Sequence, residues 1–506
     1  MNDRAICVHG HFYQPPRENP WTGLVDREPS AAPWDNWNER ITDECYAPNT
    51  AALVHEPGGG TSQRNNFASI SFNVGPTLMA WLDAHRPAVH EAIVAGDAVG
   101  SEARAGHGGA FAQVHDHLIM PLATPRDQRT QVRWGLADFR HRFGRPAAGM
   151  WLPETAVDVA TLEALAADGV RFTVLAPHQA KRIRSESGEW IDADSRPGGL
   201  DTGRAYRQRL PSGREITLLF YDGELALGIA FDGLLHDGAD LTGRLENAAL
   251  AGRSPRLAHV ATDGESYGHH HPHGEMALAW ALGAIGRHGR ASLTTYGAWL
   301  AEHPATRQVE VAARTSWSCA HGVRRWAGGC DCGTGGPTWD YGWRAALRKA
   351  LDALHDDLAA RFEQAGGALL RDPWAARDDY AELWLGEEAV KHEWWDRHLL
   401  PGAERSEALR WLDMQRSAMR MFTSCGWFFD DPAGLETRQV LRYAGRALDL
   451  AGWVEADGTL VPAAESLLED LADVRSNRSE EWNAAMALRA ILRRDRPRGA
   501  VSRPGR

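Results

Sequence analysis

Over roughly its first 300 residues this chain switches repeatedly between strand-like and helix-like patterning. That alternation confines it to parallel strands joined by helical crossovers, hence to a barrel or an open sheet. Residues 5–12, 149–152, 170–175 and 257–261 are short apolar runs that read as strands, and 215–221 is another with a polar start. Residues 76–95 carry Leu78, Trp81, Leu82 and Val89 near helical spacing. Residues 128–143, 157–167 and 275–285 also read as helices. From about Trp343 the strand-like runs stop. Helical periodicity takes over at 343–362, 408–421, 434–450 and 463–474, so the C-terminal part is expected to be all-helical.

Two stretches read as irregular: a Gly-rich loop at 54–66 and a polar hairpin excursion at 185–214. Long loops on a barrel commonly carry function. No internal repeat is apparent, and residues 496–506 are expected to be a disordered tail.

The 55 basic and 67 acidic side chains leave a net charge of −12, which argues against nucleic acid as a partner. No apolar run approaches membrane-spanning length, so no membrane partner is expected. The N-terminus enters a strand almost at once, no signal peptide is read, and a cytoplasmic location is expected. Six cysteines without an export signal then read as reduced thiols. Trp (21) outnumbers Phe (13) and Tyr (9). Trp faces stack on sugar rings, although core packing is the expected role of any single one.

Carboxylates end two of the strands. Trp151-Leu152-Pro153-Glu154 follows one run, and Asp263-Gly264-Glu265 follows another. In an α/β barrel the C-terminal strand ends line the active site. Two carboxylates there can serve as nucleophile and general acid/base, the pair that a retaining glycosidase needs. Glu265 competes with Asp263 for the acid role, and Gly264 marks a sharp turn.

His9-Gly10-His11-Phe12-Tyr13-Gln14 closes the first strand. Its two imidazoles suit hydrogen bonds to sugar hydroxyls, with metal binding or a structural role as alternatives. The run His269-His270-His271-Pro272-His273 follows the second carboxylate motif. Three adjacent histidines cannot all face one ion. Cys319, His321, Cys330 and Cys332 offer Cys-x-His and Cys-x-Cys pairs. Neither has the usual zinc-loop spacing, so packed free thiols are expected and zinc stays open. Cys425 lacks an obvious paired His and reads as packing.

Taken together, His9-Gly-His11 through Gln14-Pro15, Trp151-Leu-Pro-Glu154 and Asp263-Gly-Glu265-Ser-Tyr-Gly268 resemble the signatures of glycoside hydrolase family 57, in matching order. Residues 112–117 with Pro121-Leu122 resemble that family's second region. Residues 315–332 and 424–431 resemble domain of unknown function 3536. In one departure from the family pattern, two residues separate His11 from Gln14. The resemblance implies an incomplete seven-stranded β/α barrel over residues 1–310 and a helical domain over 311–495 that closes the cleft. It implies retaining chemistry on α-glucans, without a cofactor or metal, with Glu154 as nucleophile and Asp263 as acid/base. His11 would contact the sugar in the cleaved subsite, supported by His9, and Trp151 would shape that subsite.

Further substrate contacts are expected at Gln14, Trp21, His117, Glu265 and His269. Trp317, His321, Trp326 and Trp427 sit in irregular, Gly-containing stretches and are expected to wall the cleft. The expected function is a retaining α-glucan hydrolase or glycosyl-transfer enzyme of amylase, 4-α-glucanotransferase or branching type. Two alternatives remain: a metal-dependent deacetylase or mannosidase using His9, His11 and Asp263, and a non-catalytic glucan-binding protein.

Overall fold

The computed structural model describes residues 3–56, 58–194, 199–336 and 338–496. Residues 497–506, most of the expected tail, lie outside the described residues. The chain forms two compact units. The first comprises the residues up to Gln14, Arg27–Gln113 and Phe139–Ala313; the second comprises Pro15–Asp26, Val114–Asp138 and the chain from Arg314 onward.

The first unit is a seven-stranded β/α barrel, built on β1 (Arg4–Phe12), β2 (Ser71–Val74), β3 (Ala112–Gln113), β4 (Met150–Trp151), β5 (Phe172–Leu175), β6 (Glu215–Phe220) and β7 (Arg256–Asp263). Neighbours run parallel. β1 lies between β7 and β2, a parallel bridge at Phe72 and Ala110 links β2 to the start of β3, and β3 pairs with β4. Gly149 bridges to Phe172, and β5 pairs with β6. The ring is incomplete between β6 and β7. There β6 pairs antiparallel with Ala205–Arg209, and single backbone bonds from Asp222 N–H to the His259 carbonyl (2.8 Å) and from Leu257 N–H to that of Gly203 (3.1 Å) span the gap.

Strands covered on both faces must be apolar nearly throughout. β1 is buried from Ala5 to Phe12, and β5 is buried at every position. The chain leaves β6 straight into a helix, because the Asp222 carboxylate accepts from the backbone N–H of Glu224 and Leu225 and caps Gly223–Ala230.

The sequence expectations shift in two places. The helix over 76–95 is two helices, Pro76–His85 and Pro87–Ala103. Pro87 disfavours helical geometry at Arg86, which takes φ −138°, ψ 54°. The 54–66 loop contains most of a hairpin, Ala52–His55 against Thr61–Arg64, with Ala52 and Val54 turned into the core.

The second unit is helical. Trp343–Gly366, Arg405–Arg420, Leu435–Leu450 and Ala484–Arg494 are among its long helices. Leu347, Leu351, Leu354 and Leu358 form one buried stripe. Two segments from earlier in the chain are tied into this unit by partly buried polar contacts. Arg420 pairs with the buried Asp116 at 3.0 Å, and the Trp21 indole N–H donates to Asp449 at 2.9 Å.

Candidate active site

β1 and β7 end level with each other, His11 opposite Asp263, and β2 places Asn73 opposite His11 on the other side. Asn73 organises both histidines. Its amide nitrogen donates to Gln113 Oε1 (2.7 Å) and to His11 Nδ1 (2.9 Å), while its oxygen faces His9 Nε2 (3.1 Å). Gln113 Oε1 can only accept, which fixes the Asn73 amide as donor. His11 therefore carries its proton on Nε2, and His9 donates from Nε2. Burial pushes His11 down to about 3, and burial followed by the His11 charge holds His9 well below the usual imidazole range. Both rings are neutral at physiological pH. The buried Trp151 ring stacks on His9 (4.8 Å) and on His11 (5.0 Å), locking the pair from β4.

β4 ends abruptly. After Pro153, Glu154 and Thr155 both adopt left-handed backbone, φ 55° and 47°. Such residues cost on the order of 1–3 kcal/mol each and persist only where the surroundings hold them. Gln179 does the holding here. Its Oε1 accepts from the Thr155 hydroxyl (2.8 Å) and the Ala176 N–H (2.9 Å), and its Nε2 donates to the Thr155 carbonyl (2.8 Å). Glu154 is half-buried.

Asp263 is exposed at the end of β7, yet protein surrounds its carboxyl. Burial, the Glu265 charge and the Glu154 charge, in that order, push it well above the usual carboxylate range. Because water reaches this side chain, the burial contribution acts in full only when a ligand displaces that water. The like-charge contribution acts while Glu265 and Glu154 are ionised.

Glu265 is tethered. Its Oε1 accepts from the Tyr46 hydroxyl (2.6 Å) and the Tyr13 N–H (3.1 Å), and burial pushes it up to about 7. Tyr46 lies in a π-helical turn, Thr42–Tyr46, a geometry frequent at functional sites. The same turn secures the loop after β7. Gly268, at φ 141°, approaches so closely that a Cβ would stand 2.3 Å from the Glu44 carbonyl oxygen. Gly264 is needed for a different reason from the expected sharp turn: the Phe12 ring would lie 2.3 Å from its Cβ.

The expected site residues therefore divide between the units. His9, His11, Trp151, Glu154, Asp263 and Glu265 gather at the barrel's strand ends. Gln14 is buried beside them, and its side chain hydrogen-bonds Tyr46. His269 is held by Glu44 and sets its ring against Trp37. His271 points to the Ala230 carbonyl, so the histidine run disperses. Trp21, His117, Trp317, His321, Trp326 and Trp427 belong to the helical unit. There His117, itself at φ 55°, pairs through Nδ1 with the Ser424 hydroxyl (2.7 Å).

Trp326 and Trp427 correct an expectation. They are 0% and 1% exposed, and their indole N–H groups donate to the carbonyls of Ser424 (3.0 Å) and Arg344 (3.1 Å). They fill the helical core and offer no ring face to a sugar. Trp317 is half-buried, and His321 is exposed beside three cysteines. Asn73, Tyr46 and Gln179 were not anticipated, and Gln113 was marked only as part of the 112–117 stretch. No sequence signal marked the other three, because each acts by contact with residues distant along the chain.

A parallel β/α barrel bearing two carboxylates at separate strand ends beside neutral, hydrogen-bonding histidines has the constellation of a glycoside-processing enzyme. Residues 36–312 match the family described as glycosyl hydrolase family 57, and the chain belongs to that family. Residues 339–494 match domain of unknown function 3536. No curated protein matches the chain.

Among solved structures, it is similar to an exo-type maltose-forming amylase from Pyrococcus sp. ST04 (14% identity, TM-score 0.67, 93% of this chain and 83% of that one). It is also similar to a family 57 branching enzyme from Thermococcus kodakaraensis (13%, 0.55, 98% and 95%). A third is a 4-alpha-glucanotransferase from Thermococcus litoralis (14%, 0.53, 88% and 60%). At these identities the likeness is one of fold. Among the described residues, no helix is long and apolar enough to cross a membrane.

Proposed function

We propose that the protein is a retaining enzyme acting on α-glucans, with Glu154 as nucleophile and Asp263 as general acid/base. The observation carrying this reading is Asp263. It stands at the end of β7 opposite His11, open to a ligand, with its carboxyl raised by burial and by the Glu265 and Glu154 charges. A carboxyl whose pKa is raised above the usual carboxylate range is what leaving-group protonation requires.

The Glu154 carboxylate attacks the anomeric carbon while Asp263 passes its proton to the glycosidic oxygen, and the C–O bond breaks. Asp263, now a carboxylate, takes a proton from water or from a sugar hydroxyl. The resulting oxygen nucleophile displaces Glu154, and the anomeric configuration is restored. His11 offers Nε2–H to a sugar hydroxyl. The α-glucan assignment is supported by family membership and by the amylase, branching enzyme and glucanotransferase that share the fold.

A metal-dependent reaction at His9 and His11 gains no support. Asn73 engages one nitrogen of each ring, and among the described residues no group of three ligand side chains forms at the strand ends. Incubation with maltooligosaccharides, glycogen and trehalose, followed by product analysis, tests the reading. Release of the α-anomer first from an α-linked substrate supports it. Initial β-anomer, or no turnover of any α-glucan, overturns it.

A further inference from the structure

The helical unit contains a second constellation that the barrel chemistry does not use. Cys319, His321, Cys330 and Cys332 each offer one donor atom, and those four atoms lie within 4.8 Å of one another. The Cys319 and Cys330 sulfurs are 3.5 Å apart. His321 Nδ1 lies 3.3 Å from the Cys332 sulfur and 3.5 Å from that of Cys330. Four ligands at about 2.3 Å (sulfur) and about 2.0 Å (nitrogen) around a tetrahedral ion stand roughly 3.5–3.8 Å from each other, so these three short separations are close to those of a zinc coordination shell.

We propose that Cys319, His321, Cys330 and Cys332 form a structural zinc site. The expectation of packed free thiols rested on the one-residue gap within each pair. The fold removes that objection by making each pair half of a clamp. The turn Arg324–Ala327 separates the halves, and the left-handed Gly328 and Gly329 swing the chain back to Cys330. In the first half, Gly322 N–H closes a turn onto the Cys319 carbonyl around His321.

The surroundings suit thiolates. Cys332 N–H donates to the Cys330 sulfur at 3.3 Å. The buried Arg344 guanidinium donates to the carbonyls of Cys330 (3.2 Å) and Cys332 (3.0 Å). It holds the second half in place and sets a positive charge beside a three-thiolate shell whose net charge with zinc is −1. Residues 312–342 contain no other helix and no strand among the described residues, so an ion would add to the packing of Val323 and Trp326 a tie that regular structure does not supply here. Four protein ligands leave no open position, which makes the site structural and not hydrolytic.

The test uses the full-length chain, expressed without a histidine tag in zinc-supplemented medium and purified without chelators. Elemental analysis should find one zinc per chain. Titration with a mercurial reagent should release it as thiols are consumed. Cobalt exchange should give the sulfur-to-cobalt charge-transfer band, which histidine-only binding at residues 269–273 cannot give. Cys330→Ser should lose the metal and the band. If that variant does not fold, His321→Cys, at an exposed position, should keep one metal and shift the cobalt spectrum toward all-sulfur ligation. The proposal is overturned if the wild-type chain holds no zinc and takes up no cobalt, if zinc content is unchanged in both variants with the cobalt spectrum unmoved, or if Cys319 and Cys330 are recovered as a disulfide.

Discussion

His11 and Asp263 face each other across neighbouring parallel strands, so the proposed proton donor and the proposed sugar contact are set by one strand register. A one-residue slip of β7 against β1 would turn the Asp263 side chain to the face opposite His11. The proposed nucleophile, Glu154, comes from a different strand and is set by a different device, the left-handed turn after Pro153 that Gln179 clamps.

Glu154→Gln should abolish turnover with the fold intact. The amide conserves volume and removes the attacking charge, and loss of a group that acts as part of a catalytic unit costs roughly 10⁴-fold or more in kcat. Steady-state kinetics on a maltooligosaccharide, with circular dichroism to monitor folding, checks this. Activity within tenfold of wild type would eliminate Glu154 as nucleophile.

Asn73→Asp should damage catalysis without touching either carboxylate of the proposed pair. The introduced carboxylate cannot donate to His11 Nδ1, so the ring must place its proton there to pair with it, and Nε2 becomes an acceptor. The nearby negative charge also raises the His11 pKa from about 3. The expected loss in kcat/KM is about 100-fold or more, since a histidine held in the wrong tautomer has cost about 10⁴-fold in a serine protease. Nitrogen NMR of the imidazoles reports the tautomer directly. A switched tautomer with undiminished kcat/KM would mean that His11 does not donate to substrate.

Glu265 makes both stability and activity depend on pH. Its folded pKa is about 7, against 4.5 in a free chain. Between those values the native state keeps a proton that the unfolded chain has released. The contribution of Glu265 is therefore full below the unfolded value and is lost as pH rises through about 7. From about pH 5 to about pH 7.5, the wild-type Tm should fall relative to Glu265→Gln measured under the same conditions. The substitution also removes a like charge from Asp263, whose pKa must then drop, so the alkaline limb of kcat/KM should move to lower pH. A limb that stays in place would show that Glu265 does not tune the acid.

The barrel was legible where strands are long and apolar. β1 announces itself by the apolar run from Ala5 to Val8, and β5 and the 257–261 run of β7 are apolar apart from Thr173 and His259. β2 and β3 do not, because Ser71-Phe72-Asn73-Val74 carries two polar residues and Ala112-Gln113 is only two residues long. Their strand character comes from neighbours already in place. The same distinction governs the site. Glu154 and Asp263 were visible from chemistry at strand ends. Asn73 and Gln179 are ordinary amides until the fold sets them against His11 and Thr155. The proposed zinc clamp escapes a spacing rule because its two halves meet only after the Arg324–Ala327 turn brings them together.

Trp326→Ala and Trp427→Ala should act on stability and not on sugar affinity. Both rings are completely enclosed in the helical unit, and each indole N–H bonds a backbone carbonyl there. Truncation removes the ring, opens a cavity and leaves a buried carbonyl short of a donor. Large-to-small changes of this kind cost about 3–5 kcal/mol, and each should lower Tm by several degrees in a chain of this size. Oligosaccharide affinity measured by calorimetry at a temperature where the variants remain folded should match wild type. Weakened binding with an unchanged Tm would contradict the buried placement and return these residues to a ligand-facing surface.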